Sequence, residues 1–161
     1  MRNSKVKGFT LIELIVVIAI IGVLAAILVP SMMGFVKDSK YSTANSNAKL
    51  VHTNLSTYAT KAETAGFPLA ARTATTTGQA IPARTSTLAA IAAIPTQADC
   101  LNALGYYMGT DVSGGAGYCE FTIENGAPTK TWWAKSASDV VVGRYPDQAS
   151  ASDATPVTFG A

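Results

Sequence analysis

The chain has 161 residues, enough for one exported domain with a membrane anchor, and a second independent core is not expected at this size. Its formal net charge is +2, but residues 1–8 hold three of the 12 basic side chains and no acid. The remainder therefore has 9 basic and 10 acidic side chains. This balance excludes a strong basic field, so nucleic acid is not an expected partner.

The basic leader is followed by an apolar segment of membrane length. Residues 9–29 contain 21 residues with Glu13 as the only charge. A helix of that length, at about 1.5 Å per residue, matches a hydrocarbon core of about 30 Å. The cations of the leader predict a cytoplasmic amino terminus and an exported remainder. An ordinary secretory signal would be shorter. A plain anchor would not explain Glu13, because an ionisable group at membrane depth costs about 2.5 to 3.5 kcal/mol.

The junction of leader and apolar segment reads Gly8-Phe9-Thr10-Leu11-Ile12-Glu13. It resembles the class III signal of type IV pilins and their pseudopilin relatives, most specifically over residues 8–30. The resemblance implies that a membrane prepilin peptidase cuts between Gly8 and Phe9. It also implies that the same enzyme methylates the new amino terminus at Phe9.

The resemblance further implies roles inside the anchor and a fold. Glu13 matches the family's assembly glutamate, and Gly22 and Pro30 match positions that weaken the helix when subunits pack into a filament. The implied fold is α+β and type IV pilin-like, with a long amino-terminal helix packed on a small carboxyl-terminal antiparallel sheet. Its expected parts are a leader over 1–8, a transmembrane and filament-core half of the helix over 9–36, and a globular head over 37–161.

The polar residues after Pro30 keep a helical period, which predicts one long helix from Phe9 to about Ala65. Gly66-Phe67-Pro68 is its stop signal. His52 lies off the apolar face and is assigned no role. The predicted core face recurs at intervals of three and four; its members are Tyr41, Ala44, Ala48, Val51, Leu55, Tyr58 and Ala62.

The region that follows is rich in Ala and Thr and predicts two short helices. One is capped by Thr85-Ser86-Thr87 and runs over Leu88 to Ala93. The other opens with the capping box Thr96-x-x-Asp99 and lasts about two turns. In the family that the chain resembles, the segment over residues 70–97 is variable and would determine subunit identity.

The carboxyl-terminal third predicts an antiparallel sheet with strands over residues 118–123, 129–134 and 139–145. Alternation places Cys119, Phe121 and Ile123 on a core face and their neighbours, including Glu120, on a wet face. Asn125-Gly126 predicts the first turn. The last stretch, 147–161, is left open, with Val157 to Phe159 as either an edge strand or a loose segment.

Cys100 and Cys119 are the only cysteines. In an exported domain they predict a disulfide, with two buried thiols as the alternative. The bridge would contribute about 3 kcal/mol by loop entropy. The pair resembles the disulfide-bounded region of many type IV pilins, although 42 residues follow Cys119 here.

Other motifs do not support catalysis or a cofactor. The glycines at 114–117 fit no phosphate-binding pattern, and the spacing of Asp139, Asp147 and Asp153 fits no calcium loop. Adjacent residues on a strand face opposite ways, so each aromatic pair is expected to give one core and one surface ring; the pairs are Tyr106-Tyr107 and Trp132-Trp133. We expect no metal, no cofactor and no enzymatic activity.

The sequence therefore favours a prepilin, the structural subunit of a type IV pilus. Its expected partners are further copies of itself in a helical homopolymer, the peptidase, the membrane assembly platform and, before assembly, the lipid bilayer. It would be a single-pass protein of the cytoplasmic membrane and later part of an extracellular filament. Three alternatives stay open: a pseudopilin of a type II secretion or competence system, a minor tip pilin acting as adhesin or DNA receptor, and a released soluble enzyme.

Overall fold

A computed structural model describes residues 8–73, 78–109, 116–153 and 158–159. The chain divides into two compact units, Met1–Lys37 and Asp38–Ala161. The helices and strands follow in chain order as α1 (Leu11–Thr64), β1 (Gln79–Ala80), α2 (Gln97–Met108), β2 (Tyr118–Glu124), β3 (Ala127–Ala134) and β4 (Gly143–Tyr145). The expected α+β architecture, a long amino-terminal helix and a small antiparallel sheet, is confirmed.

Helix α1 is continuous over 54 residues and includes Pro30. It ends as its stop signal predicts. Gly66 adopts a φ of 84°, which a residue with a side chain rarely takes up, and its N–H donates to the carbonyl of Glu63 at 2.9 Å. The N–H of Phe67 donates to the carbonyl of Ala62 at 2.9 Å. This pair of bonds is a Schellman motif, which satisfies two carbonyls of the last turn.

The sheet has the order β1-β2-β3-β4 with all neighbours antiparallel. Strands β2 and β3 meet at Asn125 and Gly126, whose φ angles of 51° and 80° are those of a tight hairpin turn. The register shifts between Thr122 and Ile123, opposite Pro128, which has no N–H to donate. Strand β3 starts at Ala127, two residues before its predicted beginning.

The main core lies between the polar half of α1, α2 and the sheet. All seven predicted residues of the α1 core face are buried, together with Asn45 and Ala59. From Val51 to Ala62, the core-face residues meet the predicted core face of β2 and the buried side of α2, where Leu104 is fully buried, whereas Tyr41 belongs to a second cluster. Leu55 is equally inaccessible, and truncating such a side chain to Ala costs about 2 to 5 kcal/mol. This core makes the second unit a folded head.

The opposite face of the sheet is covered as well, so the predicted wet face is wrong at Glu120. Glu120 is only 2% exposed and lies in register with Trp132 of β3. Trp132 belongs to a second cluster that includes Phe159 from the end of the chain and Ala149. The carboxyl-terminal stretch, left open at the outset, thus closes over this face at Phe159, while residues 154–157 lie outside the described part.

Two further expectations are corrected, and one strand was not predicted. The segment Leu88 to Ala93 is not helical; Leu88 and Ile91 instead pack on the main core from an irregular chain. The predicted third strand contains three valines, but only its last part, β4, forms a strand. Asp139 accepts a hydrogen bond from the N–H of Val141, and this bond turns the chain before β4. Strand β1 was not predicted, since two residues carry no readable alternation.

Candidate functional site

The amino-terminal part of α1 is an apolar surface with no cover. Every residue from Gly8 to Lys40 is exposed in the single chain. This part of α1 passes the length and composition test for a helix able to cross a membrane. Exposed apolar patches of this extent mark a membrane or partner surface, because water alone would not tolerate them.

Glu13 lies in the first turn of α1 and caps it. Its Oε2 accepts hydrogen bonds from the Thr10 N–H at 2.9 Å and from the Thr10 hydroxyl at 2.6 Å. The Glu13 N–H donates back to the Thr10 hydroxyl oxygen at 3.4 Å. This is the geometry of a capping box. The sequence pattern T-x-x-E is typical of that motif, although no cap was predicted here. Within the described residues, the second carboxylate oxygen accepts no hydrogen bond.

The other residues expected to act in processing and assembly are placed as follows. Gly8 and Phe9 lie before the helix and are exposed, and cleavage between them stays a prediction. Gly22 and Pro30 are both helical here, and a Cβ on Gly22 would meet nothing within 4 Å. Their weakening of the helix remains a prediction about the assembled state.

The polar half of α1 has a second regular stripe, which faces away from the core. Its members are all exposed and alternate at intervals of four and three; they are Ser39, Thr43, Ser46, Leu50, Thr53, Thr57, Thr60 and Thr64. Six of its hydroxyls donate to the carbonyl four residues earlier, at 2.8 to 3.0 Å. The stripe contains no charged residue, and each of these six hydroxyls donates a hydrogen bond. We call this stripe the hydroxyl face.

Asn45 joins α1 to the end of the sheet. Its side-chain oxygen accepts from the N–H groups of Arg144 and Ala149 at 3.0 and 3.1 Å, and its amide donates to the carbonyl of Ala149 at 2.7 Å. Gly143 lies so close to α1 that a Cβ there would collide with the backbone of Ala44. These contacts hold the part of the head from Gly143 to Ala149 against α1.

His52, to which the sequence assigned no role, is half-buried and contacts the sheet. Its Nε2 lies 3.1 Å from the carbonyl oxygen of Pro128, and its ring centroid lies 4.8 Å from that of Tyr145. Both contacts are structural. They join α1 to β3 and β4.

Cys100 of α2 and Cys119 of β2 are free and buried in the main core. Burial raises the pKa of Cys100 to about 11 and raises that of Cys119 further. Both thiols are therefore protonated at neutral pH and are weak nucleophiles. The two side chains share one cluster, and the predicted disulfide stays a prediction.

The remaining candidates have local roles. Trp132 and Trp133 occupy opposite faces of β3 as alternation requires, but Trp133 is half-buried and donates its indole N–H to the carbonyl of Ala116 at 2.7 Å. Tyr106 and Tyr107 lie on α2 rather than on a strand, with ring centroids 5.1 Å apart. Asp153 accepts from the Ser150 N–H in a turn. Among the described residues, no three His, Cys, Asp or Glu side chains group as a metal site.

Comparison with known proteins gives matches over short lengths. Residues 3–29 match the family model described as the prokaryotic N-terminal methylation motif. The type IV major pilin protein PilA of Myxococcus xanthus is 51% identical over 51 residues, 32% of this chain and 23% of that protein. The type IV major fimbrial protein FimA of Dichelobacter nodosus is 42% identical over 64 residues, 40% of this chain and 41% of that protein.

A secretion protein is also similar. The type II secretion system core protein G of Pseudomonas aeruginosa is 38% identical over 58 residues, 36% of this chain and 41% of that protein. The chain thus spans less than half the length of these relatives. No solved structure matches significantly.

The methylation motif, the long helix with its small antiparallel sheet and these relatives together support the resemblance to the type IV pilin and pseudopilin family. Two of these relatives are named as a type IV major pilin protein and a type IV major fimbrial protein. Helix α1 is long and apolar enough to cross a membrane, by length and composition.

Proposed function

We propose that this chain is the structural subunit of a type IV pilus, processed between Gly8 and Phe9, methylated at Phe9 and polymerised through α1. The observation that carries the proposal is the exposed apolar half of α1, which needs a bilayer before assembly and other copies of itself afterwards. A soluble monomer would leave that surface in water.

The hydroxyl face supports packing of the polar half of α1 as well. Six of its hydroxyls already have backbone acceptors, so burial against another helix would strand none of those donors. Small side chains also let helices approach closely. The core face holds the head of its own subunit, and the hydroxyl face is left for neighbours.

In this proposal, the carboxylate of Glu13 pairs with a positive charge on a neighbouring subunit. After cleavage, the new amine at Phe9 lies four residues from the carboxylate along the same chain. An incoming subunit whose Glu13 meets the Phe9 amine of a neighbour neutralises both charges in an apolar setting, where an unpaired charge is strongly penalised. One Glu13 oxygen is committed to the Thr10 cap, and the other is available to that amine.

The test separates charge pairing from helix capping. Glu13→Val removes both functions, whereas Glu13→Gln keeps an acceptor for Thr10 and removes only the charge. Both variants should insert and be cleaved normally, because losing an acid at depth removes a cost of about 2.5 to 3.5 kcal/mol. Fractionation should find processed protein in the membrane and no fibres for either variant.

Two outcomes would contradict the pairing. Wild-type fibre yield from Glu13→Val would show that the carboxylate is dispensable. Normal fibres from Glu13→Gln, with none from Glu13→Val, would assign Glu13 to the Thr10 cap instead.

The similarity to the secretion-system core protein G favours a pseudopilin as the second candidate. Such a subunit would use the same anchor to build a short periplasm-spanning fibre. Recovery of this chain from fibres shed into the medium separates the two functions. A tip pilin that acts as adhesin or DNA receptor would need a ligand site on the head, and the charge balance outside the leader does not favour DNA.

A further inference from the structure

A cleft of about 380 Å³ opens in the head beside the start of the polar half of α1. Its lining includes Ser39, Lys40 and Thr43 from α1 and Trp133, Lys135 and Asp139 from β3 and the loop that follows it. All of them belong to the second unit. Ser39 and Thr43 also belong to the hydroxyl face, whereas Lys40, Lys135 and Asp139 are used neither by the proposed assembly nor by the core.

The rim of the cleft has excess positive charge. Lys40 and Lys135 are exposed, and within the described part of the chain neither ammonium group has an ion pair or a hydrogen bond. Asp139 is the acid of the lining, but its Oδ1 accepts the N–H of Val141 at 3.1 Å. The cleft therefore has two cations and one carboxylate, and that carboxylate already accepts a hydrogen bond from its own loop. This charge balance favours an anion.

The wall of the cleft is apolar. Trp133 is half-buried, and its only polar atom is satisfied by the carbonyl of Ala116 at 2.7 Å. Ala44 beside it is buried. A cationic rim over an apolar wall suits an amphiphilic anion better than a free inorganic one.

The position of Lys40 in the chain indicates where such an anion is found. Residues 14–36 contain no charged side chain, and Lys37 is the first after Glu13. The 28 residues from Phe9 to Val36 span about 42 Å as a helix, close to the 40 to 45 Å of a bilayer with its headgroups. Lys40 lies about one turn further along α1, so it reaches the level of the lipid phosphates when the helix is tilted.

We propose that this cleft binds the phosphate of an anionic phospholipid, held between Lys40 and Lys135, while the subunit waits in the membrane. The proposal rests on the membrane-anchored stage of the proposed function. The bound lipid ties the loop after β3 to the membrane surface. Lipid is released when the subunit leaves the bilayer for the filament.

The test is native mass spectrometry of the full chain in detergent with phosphatidylglycerol or phosphatidylcholine added. The double variant Lys40→Gln/Lys135→Gln should lose retention of phosphatidylglycerol by about 20- to 30-fold, at about fivefold for each lysine near a lipid surface. The matched control is Lys49→Gln/Lys130→Gln, which makes the same charge change outside the cleft. Near-ultraviolet circular dichroism of each variant checks the head, and the control should retain lipid as the wild type does.

Three results would overturn the proposal. Equal retention of the two lipids by the wild type would remove the need for an anion. Equal loss of phosphatidylglycerol retention in both double variants would show that binding depends on the net charge of the chain rather than on the cleft. Displacement of the lipid by inorganic phosphate at equal concentration would make the ligand a free anion. The assay measures lipid binding to the unassembled chain. A negative result would therefore not contradict pilus assembly, and a loss of fibres in cells would not by itself indicate a loss of lipid binding.

Discussion

Glu13 shows how one residue combines a local and a proposed distant task. Locally it accepts two hydrogen bonds from Thr10 and starts α1. At a distance it is proposed to pair with the amine of another subunit. The first task is written in the sequence as T-x-x-E, whereas the second needs a partner that a single chain does not contain.

Gly8 provides the test of processing at the residue scale. Gly8→Phe should block removal of the leader, because the peptidase of this family accommodates a residue without a side chain at the cut. Intact mass measurement of the membrane fraction should find the full-length chain. A mature chain that still starts at Phe9 would refute the assigned site, and Val6→Leu is the control that should be cleaved normally.

Single residues also show where sequence reasoning ends. The core face of α1 was predictable since its spacing repeats every three or four residues. Asn45 was not, because its partners Arg144 and Ala149 lie 99 and 104 positions away and nothing local announces them. The cleft between Lys40 and Lys135 was missed for the same reason.

At the scale of elements, local chemistry predicted those pieces whose ends are encoded nearby. The Schellman motif at Gly66, the hairpin turn at Asn125-Gly126 and the capping box of α2 all follow from neighbouring residues. The segment Leu88 to Ala93 has helix-forming residues as well, but its apolar side chains pack on the core without a helix. Tertiary contact overrides propensity there.

The cap of α2 makes a pH-dependent prediction. Thr96 donates its N–H and hydroxyl to Asp99 at 2.8 and 2.6 Å, and these bonds lower the pKa of Asp99. Because the folded pKa lies below the unfolded one, the stabilisation is present above the ordinary Asp value and is lost as pH falls through the folded value. Thr96→Ala should cost about 1 kcal/mol at neutral pH.

The measurement is the free energy of unfolding of the head against pH. The difference between wild type and Asp99→Asn should be constant near neutral pH and should shrink below about pH 4, where the wild-type carboxylate gains a proton. Asp147→Asn is the control, since this exposed acid makes no hydrogen bond within the described residues. A pH-independent difference for Asp99→Asn would contradict the assignment.

At the scale of the whole molecule, the two units follow the change in composition along α1. The first is apolar and exposed, and the second has its own core. The sheet face with Glu120 was predicted wet because alternation on one strand does not reveal what covers it. Residues near the chain end, Ala149 and Phe159, provide that cover.

The head can be tested apart from the anchor. A fragment beginning near Lys37 keeps the whole core face of α1 and should be a soluble monomer by light scattering. After oxidative export we expect one disulfide between Cys100 and Cys119, which share the main core. Alkylation of the denatured, unreduced fragment should leave both unmodified. Two alkylated cysteines would count against the bridge.

The most direct test of the proposed function is the composition of fibres sheared from the cell surface. Electron microscopy should show filaments, and quantitative mass spectrometry should find this chain as their bulk protein, beginning at a methylated Phe9. A chain that is absent from the fibres, or present only in trace amounts beside another subunit, would contradict the account of a major structural pilin.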